Sequence, residues 1–498
     1  MTAPALRLGL VLGLLGGVAA LGGALEAPAP TPPGAPEEVA VVGAEAVCPD
    51  LRQDAARTVS AVSIGVAGAA DDGAAVEVAA RLLGDGAGDR TPPDVPVPAQ
   101  APAATGLGRD LDDAALALRA AGPDAAGLAA QITVSVSAGA VRGLATTPCP
   151  SPRTDGWLVG GGTRVGERST LVLANPDASE AVVDVSALSA EGPVDGRAGR
   201  GLTVPARGRT EVPLDRLAPD RSRLAVRVQA TRGRVSAVLR HERSDGVVPR
   251  GVAYAAPLEA PAEVVVVPGL PAGPGGRAVW LANPGEVDVT ADVEVTTSDG
   301  QFVPDGLAGL PVPAGTTVAV DLSAALGRTP AAVRVRATGG RLLAVGVAEN
   351  AGTGDVRDLG YAGPTEALAA PAVVADVPLG QLDATVLLSA LTGDGLVELT
   401  VLPVAGARAV PAPSRRVEVP GGRTVAVRLA DLVPVGTRGA VAVQVAPDPA
   451  AAGVHAGFVV GATRADGPLL ALSALTAPPA RVTRPAVVRD PAVGAGTR

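Results

Sequence analysis

Apolar and polar residues alternate along much of the chain, as in Val287-Asp288-Val289-Thr290 and Val333-Arg334-Val335-Arg336. Successive strand residues point to opposite faces, so each such run predicts a strand with one buried and one wetted face. Asn-Pro, Ser-Asp-Gly and Pro-Ala-Gly turns divide the runs, and short strands of about five to eight residues between turns are the pattern of an antiparallel β-sandwich.

The pattern is periodic. LVLANP from Leu171 returns as VWLANP from Val279, and VPARGRTEVPL from Val204 returns as VPAGTTVAVDL from Val312 and VPGGRTVAVRL from Val419. Tyr254 and Tyr361, the only tyrosines, lie 107 residues apart at one repeat position. Residues 115–145 align without a gap to 223–253 at an offset of 108, which makes the preceding segment a divergent first copy. Helical readings of AAVEVAARLLGD and DLDDAALALRAAG give way to strands in that register. Residues 91–105 are expected to be a long Pro-rich loop.

The predicted fold is therefore all-β, a tandem of immunoglobulin-like antiparallel β-sandwich repeats of about 107 residues behind an N-terminal helix. The expected organisation is a signal peptide or signal anchor at 1–27, a Pro-rich linker at 28–44, and a divergent first sandwich at 45–150. The second, third and fourth sandwiches are expected at 151–260, 261–369 and 370–477, and a disordered tail at 478–498. The N-terminal reading rests on Arg7 followed by the uncharged apolar run Leu8–Leu25. Its length suits either a cleaved signal core or an uncleaved membrane anchor. Both place the bulk of the chain outside the cytoplasm.

Composition narrows the chemistry. Hydrophobic residues make up 47% but aromatics only 1%, so the core must be built from Val, Leu and Ala. All 41 basic residues are arginine, which excludes lysine Schiff bases and P-loop lysines. A formal charge of −9 with no basic face argues against a nucleic-acid partner. Cys48 and Cys149 are the only cysteines, and an exported chain is expected to pair them, two buried free thiols being the alternative. Closing a loop of about 100 residues would contribute on the order of 4.7 kcal/mol. Removing the bond is then expected to loosen the first unit and leave the later three folded.

Candidate motifs resolve mostly into structure. Asn175 and Asn283 read as strand-ending Asn-Pro turns, not ligands. Gly160–Gly166 lacks the Lys-Ser/Thr of a P-loop and is expected to be a hairpin turn between the strands of Trp157 and Leu171. His241 lacks the second histidine of a metalloprotease helix, and with His455 it supplies no zinc spacing. Ser63 in AVSIG misses the nucleophile elbow at Ala61. No catalytic, cofactor or metal-ligating residues are assigned. Trp157 and Trp280 are the candidates for glycan stacking, although scarce aromatics are the natural fillers of an Ala- and Val-rich core.

Cys149-Pro150, the run Asp155-Gly156-Trp157-Leu158-Val159-Gly160-Gly161, LVLANP and VVVVPGL from Val264 together resemble an actinobacterial family of exported proteins known only as a domain of unknown function. The resemblance implies export and β-sandwich repeats, with genes often beside those of membrane glycosyltransferases, and supplies no catalytic residues. The chain departs from it in lacking Asn-Pro in its last copy and in carrying Leu158 where a bulky aromatic is usual. The function expected is a non-enzymatic cell-envelope scaffold or spacer, its serial units giving reach toward an envelope partner. The alternative is a carbohydrate-binding protein for cell-wall glycans, accessory to a membrane glycosyltransferase. No cofactor is expected.

Overall fold

The computed structural model describes residues 37–49, 56–63, 77–84, 103–107, 115–122, 125–351, 355–379, 382–403, 413–433, 439–479 and 481–484. The expected N-terminal helix and most of the expected loop at 91–105 lie outside these. Among the described residues no helix is long and apolar enough to cross a membrane. The described residues form an all-β structure, and their named strand pairings are antiparallel. Ala181–Ser189 shows how the sequence pattern becomes a strand: Val183, Val185 and Ala187 enter the core while Val182, Asp184 and Ser186 face outward. The reading of Val287-Asp288 as strand is corrected. The strand begins at Val289, Val287 is exposed, and the Asp288 carboxylate accepts the Ala314 N–H.

Within Val41–Ala480 the sheets come in four pairs. In the second pair Gly208–Pro213, Glu167–Asn175, Ser236–Asp245 and Val248–Ala255 form one sheet in that order. The same order recurs as Thr317–Asp321, Arg277–Ala282, Leu343–Ala351 and Arg357–Ala362, and again as Arg423–Arg428, Asp383–Ala390, Val454–Arg464 and Gly467–Leu475. In the first pair Ala103–Leu107, Ala56–Ser63, Leu128–Val136 and Gly143–Pro148 follow it. The facing sheets run along Gly43–Cys48, Asp155–Val159, Val264–Leu270 and Ala372–Leu379. Each pair encloses an apolar core of mainly Val, Leu and Ala.

These cores interlock in a circle. Val252 and Tyr254 of the second pair enter the first core, Leu359 and Tyr361 of the third enter the second, and Leu470 and Leu472 of the fourth enter the third. Leu144 of the first pair enters the fourth core and closes the circle. The expectation of units strung out for reach is thereby corrected. The strands Gly143–Pro148, Val248–Ala255, Arg357–Ala362 and Gly467–Leu475 are largely buried on both faces, and the neighbouring unit is what covers the second face.

The loop at 160–166 is corrected as well. Asp155–Val159 pairs with Ala225–Arg232, whereas Glu167–Asn175 pairs with Gly208–Pro213 and Ser236–Asp245. The glycines therefore carry the chain from one sheet to its partner and form no hairpin. The disulfide Cys48–Cys149 is present, with Cα atoms 4.5 Å apart, and ties the two sheets of the first pair. Residues 481–484, expected in the disordered tail, instead form a strand that pairs with Glu37–Ala40, inside the expected linker. That ribbon belongs to a second compact unit.

Candidate functional site

The four inner strands meet at one carboxylate. Asp358 is fully buried, and its two oxygens accept four backbone N–H groups, one from each sheet pair. Leu144 and Leu470 donate to Oδ2 at 2.8 and 2.9 Å, and Val252 and Leu359 donate to Oδ1 at 3.2 and 3.0 Å. The four donors are also the residues whose side chains plug the neighbouring cores. Burial pushes the Asp358 carboxyl up, to about 8, against the pull of the four amides. In repeat register Arg357-Asp358-Leu359-Gly360-Tyr361 matches Arg250-Gly251-Val252-Ala253-Tyr254, so Asp358 occupies the place of Gly251 and, one copy earlier, of Gly143. Glycine is required at both. A Cβ on Gly143 would stand 2.6 Å from Asp358 Oδ1, and one on Gly251, at φ +114°, 2.5 Å from the Leu359 nitrogen.

Arg142, itself buried, joins the first pair to the fourth. It donates to the Pro468 and Gly467 carbonyls at 3.0 and 2.9 Å and to the Asp466 carboxylate at 3.1 Å. Arg234 joins the first and second pairs, reaching Glu45 at 2.7 Å and Asp177 at 2.9 Å.

A second buried polar cluster lies between the second and third pairs. His241 Nδ1 and Tyr361 Oη are 2.6 Å apart, with the rings stacked, and Oη also accepts the Gly161 N–H at 2.9 Å. Tyr361 is held above its ordinary pKa by burial, so it keeps its hydrogen. His241 is pushed down to about 3 by burial and by Arg243, so it is neutral, and its Nε2 lies 3.9 Å from Glu167 Oε1. Arg243 sits 3.6 Å from Glu167 and pairs with Glu349. Histidine, tyrosine and carboxylate are thus brought together between two units, with His241 only 1% exposed.

The two stacking candidates are not brought together. Trp157 is half-buried on the strand Asp155–Val159 of the second pair, and the Arg227 guanidinium lies 5.6 Å over its ring, held there by two bonds to Asp155. Trp280 is half-buried in the four-stranded sheet of the third pair, its ring 5.8 Å from Tyr361. A surface cleft of about 520 Å³, rimmed by Phe302 and by residues 324–329, is lined by neither. His455 bonds to the Thr365 carbonyl at 3.0 Å, far in the chain from His241. Ser63 closes its strand. Among the described residues no three His, Cys, Asp or Glu side chains come together as metal ligands. Asn175 and Asn283 do what the turn reading expects, Oδ1 accepting the N–H two residues on and Nδ2 donating to carbonyls of the same unit. Asp358 and Arg142 escaped the sequence reading. The signal for Asp358 is a carboxylate standing in the third copy where the first two have glycine, beside an arginine that all three share.

Residues 105–430 match the family described as Family of unknown function (DUF5719), and that is more than half of the chain. The chain belongs to this family. The matched span contains Arg142, Leu144, Val252, His241, Asp358 and Tyr361, whereas Leu470 and the carbonyls that bind Arg142 lie beyond it. No curated protein matches the chain.

Proposed function

We propose that this member of the family is an exported, non-enzymatic actinobacterial envelope protein in which four immunoglobulin-like sandwiches form one rigid interaction scaffold. One observation carries the reading. Four buried polar side chains, Asp358, Arg142, His241 and Tyr361, make bonds across the joints between units. Groups used in this way fix the relative positions of four surfaces, which is what a scaffold needs. The Cys48–Cys149 bond supports an oxidising, extracytoplasmic setting. The glycan reading through Trp157 is disfavoured because Arg227 already covers one ring face.

The test is localisation with crosslinking in intact cells. Amine-reactive reagents find no lysine here, so a photoreactive residue replaces the exposed Phe302. The reading expects an extracytoplasmic chain, oxidised at both cysteines, that crosslinks in a fixed ratio to one envelope protein. A cytoplasmic chain with free thiols, or an exported chain that crosslinks to nothing, contradicts it.

A further inference from the structure

Converging donors, exclusion of water and a fitted space are what a receptor for an anion requires. The centre of the ring has all three. Four backbone N–H groups, from residues as far apart in the chain as Leu144 and Leu470, point at a space of one carboxylate. Gly143 and Gly251 leave that space open, since a Cβ at either would come within 2.8 Å of the Asp358 oxygens. Burial alone would favour the neutral carboxyl, but the atoms bonded to the two oxygens are all donors and a carboxyl hydrogen would face N–H groups with no acceptor among them, so the geometry favours the carboxylate, which satisfies all four.

We infer that the ring centre is a carboxylate-binding site built from one backbone amide of each unit, occupied by the chain's own Asp358, and that this occupation commits the fourth unit to the ring. The site exists only when all four strands are in place. Before closure, Asp358 has its neighbour Leu359 and little else to bind, and the amides of Leu144, Val252 and Leu470 are unpartnered at this point. Closure supplies ligand and receptor together. One side chain fits at the axis, which explains why the equivalent positions in the first two copies are glycine. Leu144, Val252, Leu359 and Leu470 read the same event through their side chains, each seated in the next core, so loss of the carboxylate would loosen every joint.

Asp358→Gly recreates in the third copy what the first two contain and leaves the receptor without its ligand. In the full chain it is expected to lower Tm by about 5 to 10 °C, because four buried donors lose their acceptor. Sodium formate, titrated against sodium chloride at equal ionic strength, is expected to raise the Tm of Asp358→Gly while leaving the wild type unmoved. Asp358→Asn guards against a variant that fails to fold. It keeps the volume but turns an NH₂ toward the N–H groups, so it is expected to lose stability and to gain nothing from formate. If Asp358→Gly folds only in formate, the refolded yield takes the place of Tm. Formate acting alike on all three proteins, or Asp358→Asn melting with the wild type, would overturn the inference.

Discussion

A neutral histidine sealed between two units makes stability depend on pH in a direction that can be worked out. His241 is pushed from 6.5 to about 3 by burial and by Arg243, so between those values the unfolded chain binds a proton that the folded chain does not. The contribution of His241 to stability is then complete above the unfolded value and falls as pH drops from about 6.5 toward 3, by about 1.4 kcal/mol per unit. Denaturation at pH 7 and pH 5 is expected to show a smaller loss for His241→Gln than for the wild type. Equal losses would place the titration elsewhere. Gly251 gives a second residue-level prediction. Gly251→Ala puts a Cβ 2.5 Å from the Leu359 nitrogen at φ +114°, and about 2 to 4 kcal/mol of destabilisation is expected by denaturation. Gly246→Ala, at φ +56° with open space around it, is expected to cost about 1 to 2 kcal/mol. At this scale Asn175 and Asn283 were legible in the sequence because their partners are near in the chain or in the same unit. Asp358 was not, because its donors stand 214, 106 and 112 residues away.

Strands follow from alternation wherever one face is wet, and Ala115–Ala121 is a strand, as the repeat register required against its helical composition. Register fails where both faces are buried or where the connection is ambiguous. GGGTRVG has the composition of a hairpin turn, and nothing local distinguishes a turn within one sheet from a step to the facing sheet. Gly160 and Gly161 are settled by their long-range partners, the Leu224 carbonyl and the Tyr361 hydroxyl. The disulfide was legible from the presence of two cysteines and the expectation of export, but its effect on the other elements was not. Leu144, five residues before Cys149, lies in the fourth core. Cys48→Ser combined with Cys149→Ser is expected to cost about 2 to 5 kcal/mol and to admit proteolytic cuts both before Ser151 and within Gly467–Leu475. Mapping the cuts by mass spectrometry decides this, since cuts confined to the first unit would mean that the first and fourth units are not joined.

A head-to-tail joint repeated in one chain gives an open array if its rotation does not close and a ring if it does. The 107-residue period revealed the joint's repetition but not its angle, which depends on the apolar second face of Gly143–Pro148, Val248–Ala255, Arg357–Ala362 and Gly467–Leu475. Such a face reads in sequence as an ordinary hydrophobic strand. Closure is the central claim, because the Asp358 site, the contact of Arg142 with residues 466–468 and the scaffold reading all depend on it. Small-angle scattering on the unit Val41–Ala480 tests it most directly. A closed body of this length is expected to have a radius of gyration of about 22 Å. A radius about twice as large, as four sandwiches laid end to end would give, would contradict the ring.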